Sequence, residues 1–242
     1  MFPLVTVRLA AAMMCLLLCV SGSAKAEDYV GQLSMISLGG RLYDNHWTVI
    51  DRSPPAGTNP VYPAGLEVAP AETWRCVACH GWDYRGRDGH LGSVASSAAF
   101  ASLRPSIGKS PKDIIASLKT ASHADLVAKM PDHELEALSM FISVGQHDTS
   151  QDLVNGKSTG NALRGKDIFE GACVSCHQAD GKAYIVGEAG DESSLGWVAM
   201  HRPEQALHKI KNGVPGADML SLRFLKQEQL LDLLAYLQSL EN

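Results

Sequence analysis

A five-residue pattern, Cys-x-x-Cys-His, occurs twice and constrains this chain more than any other feature. It reads CVACH at residues 76–80 and CVSCH at residues 173–177. The 242 residues hold six cysteines, and the two outside the motifs, Cys15 and Cys19, lie in an apolar N-terminal stretch. Every other cysteine therefore belongs to a pair spaced by one helical turn, and each pair is followed at once by a histidine.

This spacing is the signature of covalent haem c attachment. Two thiols on one helical turn can both reach one porphyrin edge and form thioethers, and the following histidine can give its imidazole to the iron. The motifs therefore predict two covalently attached haem c groups. The residues expected to hold them are Cys76, Cys79 and the proximal ligand His80, and Cys173, Cys176 and the proximal ligand His177.

Other sites built from paired cysteines fit the motifs less well. A zinc site could use four cysteines, but the pairs lie 97 residues apart and zinc leaves both histidines unexplained. A thioredoxin-like redox pair would also leave the histidines idle, and the sequence lacks the βαβ pattern that such a pair needs. A disulfide framework is typical of smaller secreted domains.

The first 26 residues predict a secretory signal peptide. Arg8 precedes an apolar run of 12 residues, and AKA at residues 24–26 forms an A-x-A cleavage site. Such a run is too short to span a bilayer, which takes about 20 residues. No apolar run of that length follows, so no membrane span is expected in the mature chain and a periplasmic location is predicted.

The second half shows a fixed order of elements around its motif. Gly165 and Phe169 precede the motif, and a glycine with an aromatic residue there allows a short helix to lie close to another helix. Met219 follows the motif after a glycine-bearing loop. An amphipathic helix is predicted over 225–240, with leucines on one face at helical spacing.

The first half repeats this order. Gly39 and Tyr43 precede its motif, Met130 follows, and a helix with an apolar face is predicted over 132–144, with Asp132 as its N-cap. About 30 residues more than in the second half separate the first helix from the motif. They include a Pro-rich insertion over 51–73 that predicts irregular chain.

The repeated order resembles a tandem class I cytochrome c with two haems. The resemblance covers nearly all of the mature chain and is most specific over 165–240. It implies an all-α fold of two tandem cytochrome c-like helical domains, each around one covalently bound haem, with the first and last helices crossing beside it. The chain then divides into a signal peptide (1–26), domain 1 with the Pro-rich insertion (27–150), a polar linker (151–160) and domain 2 (161–242).

The resemblance also implies a methionine as the second axial ligand of each iron. Met130 stands before a proline, as in the family's Met-Pro pattern, and Met219 fits the second site although Leu220 replaces the proline. Three histidines lie between a motif and its methionine and could replace it, although packing or surface roles are favoured for them: His123, His201 and His208. After the first motif, Trp82, Arg85 and Arg87 fit equally a haem edge with a propionate partner or a solvated turn.

The function implied is one-electron transfer between redox partner proteins by a periplasmic di-haem c-type cytochrome. Loss of the signal peptide changes the net charge from −5 to −7, which gives no support to nucleic acid as a partner and favours partners with a basic face. The alternative is an electron-accepting subunit or a catalytic di-haem oxidoreductase, for example one acting on a small sulfur compound. Its version with a cysteine ligand is excluded, because no thiol remains outside the motifs.

Overall fold

The structure is a computed structural model that describes residues 4–93, 100–120, 122–184 and 194–240, with the backbone alone for 4–26 and 93. The side chains of the predicted signal peptide (1–26) therefore lie outside the described part of the chain. The described N-terminal half contains α1 (Leu4–Val49), α2 (Cys76–His80), α3 (Pro111–Leu118), α4 (Ala124–Val127) and α5 (Asp132–Met140). The C-terminal half contains α6 (Ala162–Ala172), α7 (Val174–His177), α8 (Leu195–His201), α9 (Pro203–Asn212) and α10 (Gln227–Ser239).

The prediction of a mainly helical chain is confirmed, because these helices are joined by short 3₁₀ turns and irregular segments, with one small hairpin. Asn45 has non-helical angles (φ −153°, ψ 88°) and breaks α1 near its end. A π-helical turn over Phe141–Gly145 continues α5. No helix of the described ranges is both long enough and apolar enough to cross a membrane.

In the C-terminal half, α6 and α10 cross at a glycine. A Cβ atom on Gly165 would lie 1.9 Å from the carbonyl oxygen of Asp232, so no other residue fits there without moving backbone. One turn further along both helices, the rings of Phe169 and Tyr236 pack with centroids 5.3 Å apart. The predicted role of this glycine and aromatic pair in close helix packing is confirmed.

The N-terminal half contains the same crossing between α1 and α5. A Cβ atom on Gly39 would lie 2.0 Å from the carbonyl oxygen of Ala137, and one turn on, Tyr43 and Phe141 have ring centroids 5.4 Å apart. The glycine and its aromatic residue are four positions apart in both halves, and so are the two residues that they contact. The predicted start of this helix at residue 132 is confirmed, but its N-cap is Pro131 and not Asp132.

Buried apolar side chains form two clusters, one in each half. The N-terminal cluster is built around the α1–α5 crossing and includes Leu42, Leu135 and Leu138. The C-terminal cluster contains the predicted leucine face of α10: Leu230, Leu233, Leu234 and Leu237.

The segment predicted as a polar linker contains a β-hairpin. Strands β1 (Leu153–Val154) and β2 (Lys157–Ser158) pair through a turn in which Asn155 and Gly156 both have positive φ (52° and 76°). Ser158 binds α10, because its hydroxyl donates to the carbonyl of Leu231 at 2.7 Å. This segment therefore contacts α10 of the C-terminal half.

Helix α1 also packs against α9, which joins the two halves. The Cβ position of Gly40 falls within 2.1 Å of the side chain of Asn212. Lys209 Nζ donates to Asp44 at 3.1 Å, and the hydroxyls of Ser37 and Ser221 lie 2.7 Å apart. Close polar contacts therefore hold the halves together along one face of α1.

Candidate haem sites

The first Cys-x-x-Cys-His motif forms the whole of α2. Its last turn ends at Gly81, whose φ of 73° suits glycine and whose amide donates to the carbonyl of Val77 at 2.9 Å. The hydroxyl of Tyr43 on α1 donates to the carbonyl of Gly81 at 2.5 Å. The aromatic residue of the helix crossing thus also fixes the end of the motif helix.

A cavity of about 290 Å³ lies beside α2, and Cys76, Cys79 and His80 all line it. Both cysteines are free thiols. Most of the remaining wall is apolar, from α3, α4, α5 and the turn after α5, with Ile114, Leu118, Leu126, Leu138 and Ile142 among its residues. An apolar cavity with two thiols and an imidazole on one wall has the composition that a covalently attached haem needs.

His80 is held in the orientation of a metal ligand. Its Nδ1 lies 2.6 Å from the carbonyl oxygen of Ala101, so Nδ1 carries the proton and donates it, which leaves Nε2 with a free lone pair. Burial, and to a smaller extent nearby His123, lower the pKa of His80 to about 4 against the opposing effect of the Ala101 carbonyl. The imidazole is therefore neutral near pH 7, the state that binds metal.

The two thiols of this motif are protonated. Burial raises the pKa of Cys76 to about 12, helped by Cys79, and burial raises that of Cys79 to about 11. Thiolates are the form that ligates zinc and attacks disulfides, so this environment favours neither use. In the described part of the chain, no three His, Cys, Asp or Glu side chains are grouped as they would be to hold a metal ion.

The second motif lies at the end of α6 and in α7. The amide of Cys173 donates to the carbonyl of Phe169 at 2.8 Å, which fixes the motif beside the α6–α10 crossing. His177 is half-buried, packs edge-on against Tyr184 at 5.6 Å, and burial lowers its pKa. Its buried Nδ1 has no hydrogen-bond partner among the described residues. Cys176 is exposed.

The two predicted methionine ligands have different surroundings. Met219 is half-buried and packs against the C-terminal cluster, in the loop before α10. Met130 is only 7% exposed, packs within the N-terminal cluster and is not among the residues that line the cavity. The structure thus brings Cys76, Cys79 and His80 together but leaves Met130 outside their cavity.

His123 does line that cavity. Its ring centre lies 6.1 Å from that of His80, and the two ring planes are 21° apart. The sequence placed His123 between motif and methionine, but nothing in it indicated that this side chain faces the motif.

The other candidate residues near the motifs have different roles. Trp82 packs against His208 at 5.0 Å instead of lining the cavity, and Arg85 pairs with exposed Asp148 at 3.4 Å. Arg87 is exposed and also lies off the cavity.

Two of the three histidines that could replace a methionine ligand lie elsewhere. His208 is fully buried between the halves with hydrogen bonds at both ring nitrogens, while His201 is exposed. The favoured packing and surface roles of these two histidines are confirmed.

Comparison with known families gives one match. Residues 162–241 match the cytochrome c family. This segment is a cytochrome c domain. It contains the second motif, both crossing helices and Met219, and a domain of this kind carries covalently bound haem c and transfers electrons. No curated protein and no solved structure matches the chain.

The cytochrome c domain thus has the helix crossing that the N-terminal half repeats. The residues of both motifs fit haem c in chemistry, and the thioethers would use four thiols that form no disulfide within the described part of the chain. When bound, haem supplies an iron that cycles between two oxidation states. The chain's own residues would attach and orient the group, and His80 would give it a neutral imidazole.

Proposed function

We propose that the chain is an exported di-haem c-type cytochrome that passes single electrons between redox partner proteins. The cytochrome c domain would hold one haem through Cys173 and Cys176, with His177 and Met219 as iron ligands. The N-terminal half, residues 27–150, would hold the second through Cys76 and Cys79, with His80 as proximal ligand. Met130, the remaining ligand predicted from the sequence, lies in the core and not on the cavity wall.

The observation that carries this proposal is the cavity at the first motif. Two free thiols and a neutral imidazole with its Nδ1 bound to a carbonyl converge on one mostly apolar space. The repeat of the glycine and aromatic crossing supports the same conclusion, because a second cytochrome c-like fold would place its motif beside such a crossing.

Contacts between the halves support electron passage within one chain. Helix α1 of the N-terminal half packs directly on α9 of the cytochrome c domain, with Lys209 and Asp44 paired across the contact. A net charge of −7 for residues 27–242 favours docking partners with a basic face. The apolar N-terminal segment, with its A-x-A site, supports export to the periplasm, where haem c would be attached.

Haem counting tests the proposal. The holoprotein, produced with its N-terminal segment in a host that attaches haem c, is weighed intact by mass spectrometry. We expect residues 27–242 plus two haems. The double variant Cys76→Ala/Cys79→Ala and the double variant Cys173→Ala/Cys176→Ala should each carry one. A wild-type protein with one haem, unchanged by the first double variant, would reject the N-terminal site.

A further inference from the structure

We propose that His123, and not Met130, is the second axial ligand of the iron at the first motif. This inference rests on the proposed haem at that motif. It assigns the N-terminal site two histidine ligands, whereas the cytochrome c domain keeps one histidine and one methionine. Three observations carry it, and they are independent of one another.

The first observation is the distance between the two imidazoles. Metal–imidazole bonds of about 2.0–2.1 Å, as known for zinc, hold two opposed ring centres roughly 6 Å apart. The ring centres of His80 and His123 are 6.1 Å apart and both side chains line the same cavity. The separation of these two residues already matches that of a pair sharing one metal.

The second observation is the state of the His123 ring. Its Nδ1 lies 3.2 Å from the hydroxyl of Ser122, which can accept the Nδ1 proton and so leave the lone pair of Nε2 for a metal. The backbone holds its position, because the amide of His123 donates to Thr120 at 3.0 Å and its carbonyl begins α4.

The third observation is the register of the two helix crossings. Asp232 and Ala137 are equivalent, because each carbonyl faces the glycine of its crossing. Met219 lies thirteen residues before Asp232, and His123 lies fourteen residues before Ala137. Met130 lies only seven before it, two residues ahead of the start of α5. Counted from the crossing, the position of His123 in the first half is within one residue of that of Met219 in the second.

The position of Met130 explains why it would not serve as an iron ligand. Pro131 follows it and α5 begins at Asp132, so no loop remains between Met130 and the helix that packs on α1. Its side chain fills the core instead. Moving it to the cavity would leave a void in the core and unwind the start of α5.

A difference in function follows from the two ligand sets. Methionine and histidine together raise the reduction potential of a haem relative to two histidines. The N-terminal haem would therefore have the lower potential, and an electron entering there would move toward the cytochrome c domain. The chain would thus conduct electrons in one preferred direction.

Spectroscopy of the oxidised holoprotein tests the inference without any activity assay. In a protein that carries two haems, the absorption band of methionine bound to ferric iron should have the intensity expected for only one methionine-ligated iron. Met219→Leu should remove the band, and Met130→Leu should leave it unchanged. A wild-type band with the intensity of two sites, or one halved by Met130→Leu, would overturn the inference.

Substitution of His123 gives the complementary test. His123→Ala should turn one of two irons high-spin, let the reduced protein bind one carbon monoxide per chain, and recover its low-spin spectrum when imidazole is added. His123→Met, which keeps a ligand in place, should double the methionine band and raise the lower of the two potentials. His133→Ala, at an exposed position on α5, is the matched control and should change none of these signals.

The haem count separates the two possible failures. Two haems per chain with both irons still low-spin in His123→Ala would overturn the ligand assignment and leave the proposed function standing. One haem per chain, attached at the second motif alone, would overturn both.

Discussion

The hydroxyl of Tyr84 lies 2.8 Å from Nδ1 of His208, and this contact joins the two halves of the chain in their buried interface. Nε2 of His208 lies 2.9 Å from the carbonyl of Gly40, which can only accept, so Nε2 carries the proton. Nδ1 therefore accepts from Tyr84. The tyrosine oxygen in turn accepts from Nδ1 of His147 at 3.1 Å. One arrangement of protons forms all three hydrogen bonds while both histidines are neutral.

Removal of the Tyr84 hydroxyl should loosen this interface. Tyr84→Phe leaves Nδ1 of both His147 and His208 buried without a partner, which costs about 1–3 kcal/mol in the free energy of unfolding. Urea unfolding of the holoprotein measures the change. The control Tyr29→Phe, at a side chain that is 58% exposed, should leave the urea midpoint unchanged. Equal midpoints for Tyr84→Phe and wild type would contradict the hydrogen-bond assignment.

Acid should destabilise the same interface. Burial lowers the pKa of His208 from 6.5 to about 3, and burial also lowers that of His147. The unfolded chain therefore binds protons that the folded chain excludes, so stability is full above pH 6.5 and declines as the pH falls toward 3. Each such group contributes a slope of up to about 1.4 kcal/mol per pH unit in this range.

Urea midpoints across that pH window measure the slope. His208→Gln should have a shallower slope than wild type, because glutamine does not take up the proton that His208 binds in the unfolded chain. The exposed control His133→Gln should keep the wild-type slope. Parallel slopes for His208→Gln and wild type would show that His208 does not titrate in this way.

The helix crossings should tolerate no side chain at their glycines. Gly165→Ala places a methyl group 1.9 Å from the backbone oxygen of Asp232, and the resulting shift should cost about 1–3 kcal/mol or more. Gly171→Ala on the same helix has no atom within 4 Å of the new Cβ and should stabilise by up to about 1 kcal/mol. Thermal unfolding of the two holoproteins compares them. The pair Gly39→Ala and Gly31→Ala on α1 should behave in the same way.

Asp44 should be essential to the contact between α1 and α9. Its side chain is 2% exposed, accepts from Lys209 at 3.1 Å and pairs with Arg75 at 2.5 Å. Burial alone would raise the pKa of Asp44, but Lys209 and Arg75 lower it, so the group is charged. Asp44→Asn leaves Lys209 without this anion and removes one of the two carboxylates that pair with Arg75, the other being Glu72, and it should cost about 3 kcal/mol in urea unfolding. Asp167→Asn, on the exposed side of α6, is the control; a matching midpoint for the two variants would contradict the prediction.

Much of the fold could be predicted because it depends on local patterns. The leucines of α10 repeat at helical spacing, and four of those predicted are buried as expected. Gly165 and Gly39 were predicted to allow close packing, since each is followed four residues later by an aromatic side chain. The hairpin was missed although Asn155-Gly156, a common two-residue hairpin turn, was visible in the sequence. Its polar composition was instead interpreted as a linker.

The contacts made at long range could not be predicted. The Met-Pro pattern at Met130 suits a ligand, but the sequence does not show that α5 begins directly after it and draws its side chain into the core. The same limit applies to His123, whose place opposite His80 depends on how α3 and α4 fold over the motif. His208 and Tyr84 are 124 residues apart, and only the docking of α9 on α1 brings them together.

The adjacent glycines of α1 face two different helices. Gly39 lies against Ala137 of α5, and Gly40 lies against Asn212 of α9. A rotation of α1 that gave room on one side would drive its backbone into the other. The two halves are thus interlocked at a single peptide unit, and a distortion of α1 at that unit would press on α5 and α9 together without passing through residues 151–160.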